Sequence, residues 1–278
     1  VDESQARRQF SELLSQPDEA VDVAHASLLI AAEEYPALDV GLYLARLQSL
    51  GGAVRERAGA QAPPEVVIDV LNRLLFEDEG FRGNSEDYYD PRNSYLNEVL
   101  DRRTGIPITL STVYIEVARH AGLEMDGVGL PGHFIVKAGA PGGEILLDPF
   151  HGGARLSESD CQARLDRIFA GRVRVEPAML TACSRKEILA RMLRNLKTIY
   201  AKASDHWRCL GVVDLLLRVN AASGEDLRDR GLLYAALDCY GLALADLRAY
   251  LARFPAAPEA AELAARISSL SGQAARLN

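Results

Sequence analysis

The chain has 278 residues, 48% of them hydrophobic, and a formal net charge of −8. This allows one large domain or two modest ones, with a core that needs neither disulfides nor a structural metal. The acidic balance excludes a nucleic-acid partner held through a broad basic surface, and no apolar run reaches the length of a membrane span.

Residues 2–60 read as helices. The stretch 20–34 is rich in Ala, Val and Leu, and Tyr35-Pro36 stops it because proline pushes the residue before it out of the helical region. Asp39 is placed to cap a helix over 40–58 with Leu42, Leu44, Leu47 and Leu50 on its apolar face, and Gly51-Gly52 allow a kink. A connector at 61–64 leads to a helix over 65–77. Residues 80–92 are polar and turn-rich. Glu86, Asp87 and Asp90 lack the spacing of a calcium loop, so a solvated loop is expected, with Tyr88, Tyr89 and Tyr95 packing it onto the core. Asn93-Ser94 are candidate caps for a helix over 95–102.

The most informative stretch follows. Pro107 suits a first helical turn, Ile108, Ser111, Thr112, Ile115 and Ala118 recur at helical spacing, and Gly122 is placed to end the helix. Beyond it, His133–Lys137 and Glu144–Asp148 flank a Gly/Pro loop, the pattern of a β-hairpin. A register symmetric about the loop pairs His133 with Asp148, Ile135 with Leu146 and Lys137 with Glu144 on one face. Such a carboxylate orients the imidazole and stabilises its protonated form. His151 follows in Pro-Phe-His-Gly-Gly. Its spacing from His133 and Asp148 is not a specific metal signal, so it reads as a solvent-facing loop histidine, with no metal or cofactor expected.

A helix start at Ser157, a strand over 171–176 and a boundary at Pro177 complete this half. From Ser184 onward the chain is helical with an echo at an offset of 34: Tyr200 with Tyr234, Leu210 with Leu244, Val213 with Leu247 and Leu217 with Leu251. That is the tetratricopeptide period. Two helix pairs rarely make a stable solenoid, so docking on the core is expected. Cys161, Cys183, Cys209 and Cys239 form no C-x-x-C pair. With a charged N-terminus that lacks an apolar signal core, they suggest reduced thiols in a cytoplasmic protein.

The order helix start, strand His, paired-strand Asp over residues 70–153 resembles the transglutaminase-like superfamily. That superfamily places a nucleophilic Cys at the helix N-terminus, in a Gly-x-Cys pattern, within a Cys-His-Asp triad. The resemblance carries the His and Asp to His133 and Asp148, but the Cys position in Gly105-Ile106-Pro107 holds proline and no Cys precedes Cys161. The whole chain is similar to a bacterial branch with a transglutaminase-like core and C-terminal tetratricopeptide-type helices. The matching phrases are Phe81-Arg-Gly-Asn84, Asp87 through Asn97, Arg103 through Ile108, Gly129 through Phe134 and Leu147 through Gly153. The resemblance implies an α+β, mostly helical fold. Residues 1–177 would form the transglutaminase-like domain with a small antiparallel sheet, and residues 178–278 the tetratricopeptide-like region docked on it.

Two functions fit. One is a binding module for a protein or peptide that has lost covalent chemistry, favoured by the missing Cys and the repeat echo. The other is a hydrolase or acyl transferase in which Asp148 orients His133 as general base and water or Ser111 attacks. Ser111 is a weak nucleophile candidate, since it lies a turn beyond Pro107 and its hydroxyl need not face His133. Membrane and nucleic-acid partners are not expected.

Overall fold

Capping side chains start the first helices. Ser4 caps α1 (Gln5–Leu14), Asp22 caps α2 (Val23–Glu34) and Asp39 caps α3 (Val40–Ala58), each accepting a backbone N–H of the first turn. The helix expected from residue 20 therefore begins at Val23, after a 3-10 turn at Asp18–Ala20. Of the apolar face expected on α3, Leu47 and Leu50 are buried and Leu42 is exposed. α3 also runs unbroken through Gly51-Gly52. A Cβ on Gly51 would stand 2.2 Å from the Cβ of His120, so this glycine permits close packing on α6 (Pro107–Ala121) rather than a kink. α4 (Pro64–Asn72) passes into a π-helical turn at Arg73–Asp78, which divides the helix expected over 65–77.

The polar loop is fastened by its own side chains. Asn93 Nδ2 donates to the Asp87 carbonyl at 2.7 Å, and its Oδ1 accepts from Asn84 at 3.2 Å. Asn93 is thus occupied with the loop and does not cap α5 (Leu96–Arg102), whose N-cap is Tyr95 with no side-chain capping bond. Tyr95 packs edge-on to Tyr35 at 5.5 Å, whereas Tyr88 and Tyr89 stay at the surface, contrary to the packing role expected of all three. β1 (Arg82–Gly83) and β2 (Thr104–Gly105) pair in parallel on either side of this segment.

The main sheet is antiparallel in the order β3 (Met125–Val128), β4 (Ile135–Ala140), β5 (Gly143–Asp148), β6 (Ala154–Leu156). The hairpin register differs from the symmetric one. Ala140 pairs with Gly143, Lys137 with Leu146 and Val136 with Leu147, so the turn is only Pro141-Gly142. The strands run further towards the turn than the Gly/Pro composition suggests, and Gly143, the first paired residue after it, takes a positive φ (119°) that favours glycine. The shift is by two residues, so each side chain keeps the face expected of it. Lys137 Nζ still reaches Glu144 Oε1, at 2.7 Å, along the diagonal.

That alternation places Val136, Ala138 and Leu147 in the main core with Leu71, Val113, Tyr114 and Val117. Ile135 on the opposite face clusters with Val128, Leu130 and Cys161, the last on α7 (Glu158–Phe169), with Leu146 and Leu156 packed against them. Ser157 caps α7 in a capping box with Asp160. Residues 171–176 form no strand. Gln162 instead takes their backbone groups, donating to the Val173 carbonyl at 3.0 Å and accepting from Val175 N at 2.8 Å.

The structure describes residues 4–277 in a computed structural model, and two compact units part between Met192 and Leu193, inside α8 (Arg185–Lys202). The second unit continues with α9 (His206–Val219), α10 (Gly224–Ala236), α11 (Tyr240–Arg253) and α12 (Ala260–Leu277). The 34-residue echo is structural. α11 begins and ends 34 residues after α9, and the positive-φ residue before each, Ser204 and Asp238, repeats at the same offset. Leu244, Leu247 and Tyr250 of α11 pack with Leu227, Leu263 and Leu270 in this unit's own core. Among the described residues no helix is long and apolar enough to cross a membrane.

Candidate functional site

Asp148 ends β5 and has no exposed surface. A buried carboxylate is tolerable only when charge and hydrogen bonds compensate its lost hydration. Three donors converge on its Oδ2: His133 Nε2 at 2.9 Å, His151 Nδ1 at 2.8 Å and Arg164 Nε at 2.9 Å. Oδ1 accepts the backbone N–H of Phe150 at 3.2 Å. Burial alone would raise this carboxyl, but the bonds and charges of His133 and then His151 outweigh it and hold the group down at about 2.

Each partner arrives for a local reason. His133 lies two residues before β4, in a turn whose N–H donates to the Leu130 carbonyl at 3.1 Å, so it reaches Asp148 from the approach to the hairpin and not from a paired strand position. Arg191 holds the same turn, its Nη2 donating to the carbonyls of Leu130 at 2.8 Å and His133 at 2.6 Å. His151 sits in the 3-10 turn Pro149–His151 that Asp148 itself caps. Gly153 closes that turn on Asn72, whose Nδ2 donates to its carbonyl at 3.2 Å while Tyr114 Oη donates to Asn72 Oδ1 at 2.8 Å. Gly153 has φ +72°, and a Cβ there would meet Asn72 Oδ1 at 1.9 Å, so both conformation and space call for glycine. Arg164 comes from α7, one turn after buried Cys161 and on the sheet face that carries Asp148.

The residues marked in the sequence separate here. His133 and Asp148 are joined, and His133 is only 8% exposed. His151 is more than a loop histidine: its ring is bonded to Asp148 although 52% of the side chain stays exposed. Ser111 is not joined. It is 0% exposed, and its Oγ has no hydrogen-bond partner among the described residues. Pro107 opens α6 and is buried, and Thr109 Oγ1 is occupied by the Asn93 carbonyl at 2.8 Å. Burial pushes the Cys161 thiol up, away from the thiolate a nucleophile needs. Sequence reasoning misses Arg164, Arg191, Asn72 and Tyr114. Arg164 has the signal of sitting one turn after an apolar helix position, but nothing in the sequence ties it to a strand residue 16 positions earlier.

Beside the cluster, Gly83 lies against Phe150, whose ring is 6.0 Å from that of His133. From Gly83 a polar cleft of about 580 Å³ extends between Arg82, Asn84, Asp87, Asp90, Arg92 and Arg102.

Comparison with known proteins agrees with this architecture. Residues 42–194 match the model of the transglutaminase-like superfamily, and residues 196–268 match a tetratricopeptide repeat model. A UPF0162 protein of Xylella fastidiosa (strain Temecula1) is 38% identical over 250 residues, covering 88% of this chain and 89% of the relative. The UPF0162 protein YchA of Escherichia coli (strain K12) is 29% identical over 243 residues, covering 86% and 87%. F-box only protein 21 of Mus musculus is 34% identical over 141 residues, 48% of this chain but only 22% of that protein.

Proposed function

The chain belongs to the transglutaminase-like superfamily, and we propose that it works there without a covalent nucleophile, as a module that binds a protein or peptide. The observation that carries this reading is the start of α6. Pro107 stands where the resemblance expects the cysteine, and the nearby hydroxyl of Ser111 is enclosed and unbonded to His133. The polar cleft that extends from Gly83 presents Arg82, Arg92 and Arg102, the last two paired with Asp90, as a charged face for an extended polar ligand that would exchange with those pairs. The tetratricopeptide match supports a protein as the partner.

One observation favours a second reading. The bond between His133 Nε2 and Asp148 leaves Nδ1 as the nitrogen able to take a proton from water, which suits a hydrolase with His133 as general base. A displayed peptide library selected on the full chain separates the two. The binding reading expects peptides that lose affinity on Arg92→Ala or Arg102→Ala and are recovered intact. Recovery of cleaved peptides, with cleavage abolished by His133→Ala, would establish the second reading instead.

A further inference from the structure

We propose that His133, Asp148 and His151 form a three-ligand site for a first-row divalent metal ion of the zinc type. Such a site is compatible with the binding reading and not with the second, because a His133 that ligates through Nε2 carries its proton on Nδ1 and cannot be the general base. His133 Nε2, His151 Nδ1 and a carboxylate oxygen of Asp148 all lie within 4.8 Å of one another, and both ring nitrogens are aimed at one point, Asp148 Oδ2. Ligand atoms about 2.1 Å from a shared tetrahedral ion stand roughly 3.4 Å apart. The present spacings of 2.9 and 2.8 Å therefore need to open by about half an ångström to admit an ion at that bond length. His151 lies in an exposed turn and can supply that movement.

Two imidazoles and one carboxylate are a borderline donor set that suits zinc and its neighbours better than calcium or magnesium. The turns that carry the two histidines are fastened through their backbone carbonyls. Arg191 fixes the turn of His133, and Asn72 with Tyr114 fixes the turn of His151. For an ion to bind, each imidazole presents a lone pair, so the proton sits on Nδ1 of His133 and on Nε2 of His151. The exposed side of His151 gives the ion an entry path and leaves a position for water or a ligand.

Arg164 opposes the ion. Its Nε donates to Asp148 Oδ2 at 2.9 Å, and a guanidinium beside a ligating oxygen repels a second cation. Removing that charge should therefore strengthen binding, an effect that loss of folding cannot imitate. The full chain, stripped with chelator, is titrated with Co2+ followed by absorption and with Zn2+ followed by calorimetry. The expected result is one ion per chain, visible bands without a thiolate charge-transfer band, and affinity reduced at least about tenfold by His151→Ala. Circular dichroism shows whether that variant remains folded. Arg164→Gln is expected to raise affinity several-fold. Absence of stoichiometric binding, a thiolate band, or affinity unchanged by His151→Ala in a folded protein would each overturn the proposal.

Discussion

The two units bury charge in opposite ways. In the first, one carboxylate, Asp148, is shared by two imidazoles and a guanidinium. In the second, one guanidinium is shared by two carboxylates: Arg230 meets Asp246 at 2.6 Å and Asp214 at 3.1 Å. Asp214 and Asp246 are each 16 residues from Arg230, so that network is a by-product of regularly stacked helices. The donors of Asp148 come from a turn, a 3-10 segment and a helix with no common period. Asp148 is fully enclosed, while 27% of the Arg230 side chain remains in solvent. The contrast separates a network that braces a scaffold from one assembled at a single place.

The largest effect should come from breaking the enclosed network. Asp148→Ala leaves the buried His133 ring and the largely enclosed Arg164 guanidinium without their partner and is expected to cost about 3–5 kcal/mol in denaturant melts. Asp148→Asn keeps the shape and should cost about 1.5–3 kcal/mol. A loss below about 1 kcal/mol for the alanine variant would remove the distinction between the two networks.

The next effect is in pH, measured on the metal-free chain. The Asp148 carboxyl is held at about 2, below its ordinary 3.8. Its contribution is therefore fully present above the ordinary value and is lost as pH falls through the folded one. The stability gap between wild type and Asp148→Asn should narrow by on the order of 2 kcal/mol as pH falls from about 4 to about 2. A gap unchanged across that interval would mean the carboxyl is not held down by its partners.

Arg230→Met should cost less, about 1–2 kcal/mol, because its network is partly solvated. A cost equal to that of Asp148→Ala would erase the comparison. His151→Ala should be smallest, within about 1 kcal/mol, since half of the side chain is exposed. A larger loss in the melts would make His151 part of the scaffold.

Much of the scaffold is legible in the sequence. The bounds of α3, the end of α6 at Gly122 and the 34-residue repeat follow from caps and periodicity, which are local. The hairpin is legible in its faces but not in its register, since a shift of two preserves alternation and only the turn chemistry at Pro141-Gly142 decides it. The strand expected at 171–176 fails because a side chain, Gln162, takes its backbone bonds. The pair His133 and Asp148 can be seen from order and spacing. Arg164 cannot, because its role depends on where α7 crosses the sheet.

Incubation of the full chain with activated acyl esters and glutamine-containing peptides, followed by intact-mass measurement, tests the claim that the core has no covalent chemistry. The account predicts the same slow, non-stoichiometric labelling of surface thiols and amines for wild type and His133→Ala alike. A rapid stoichiometric acyl adduct on wild type that His133→Ala abolishes would contradict it.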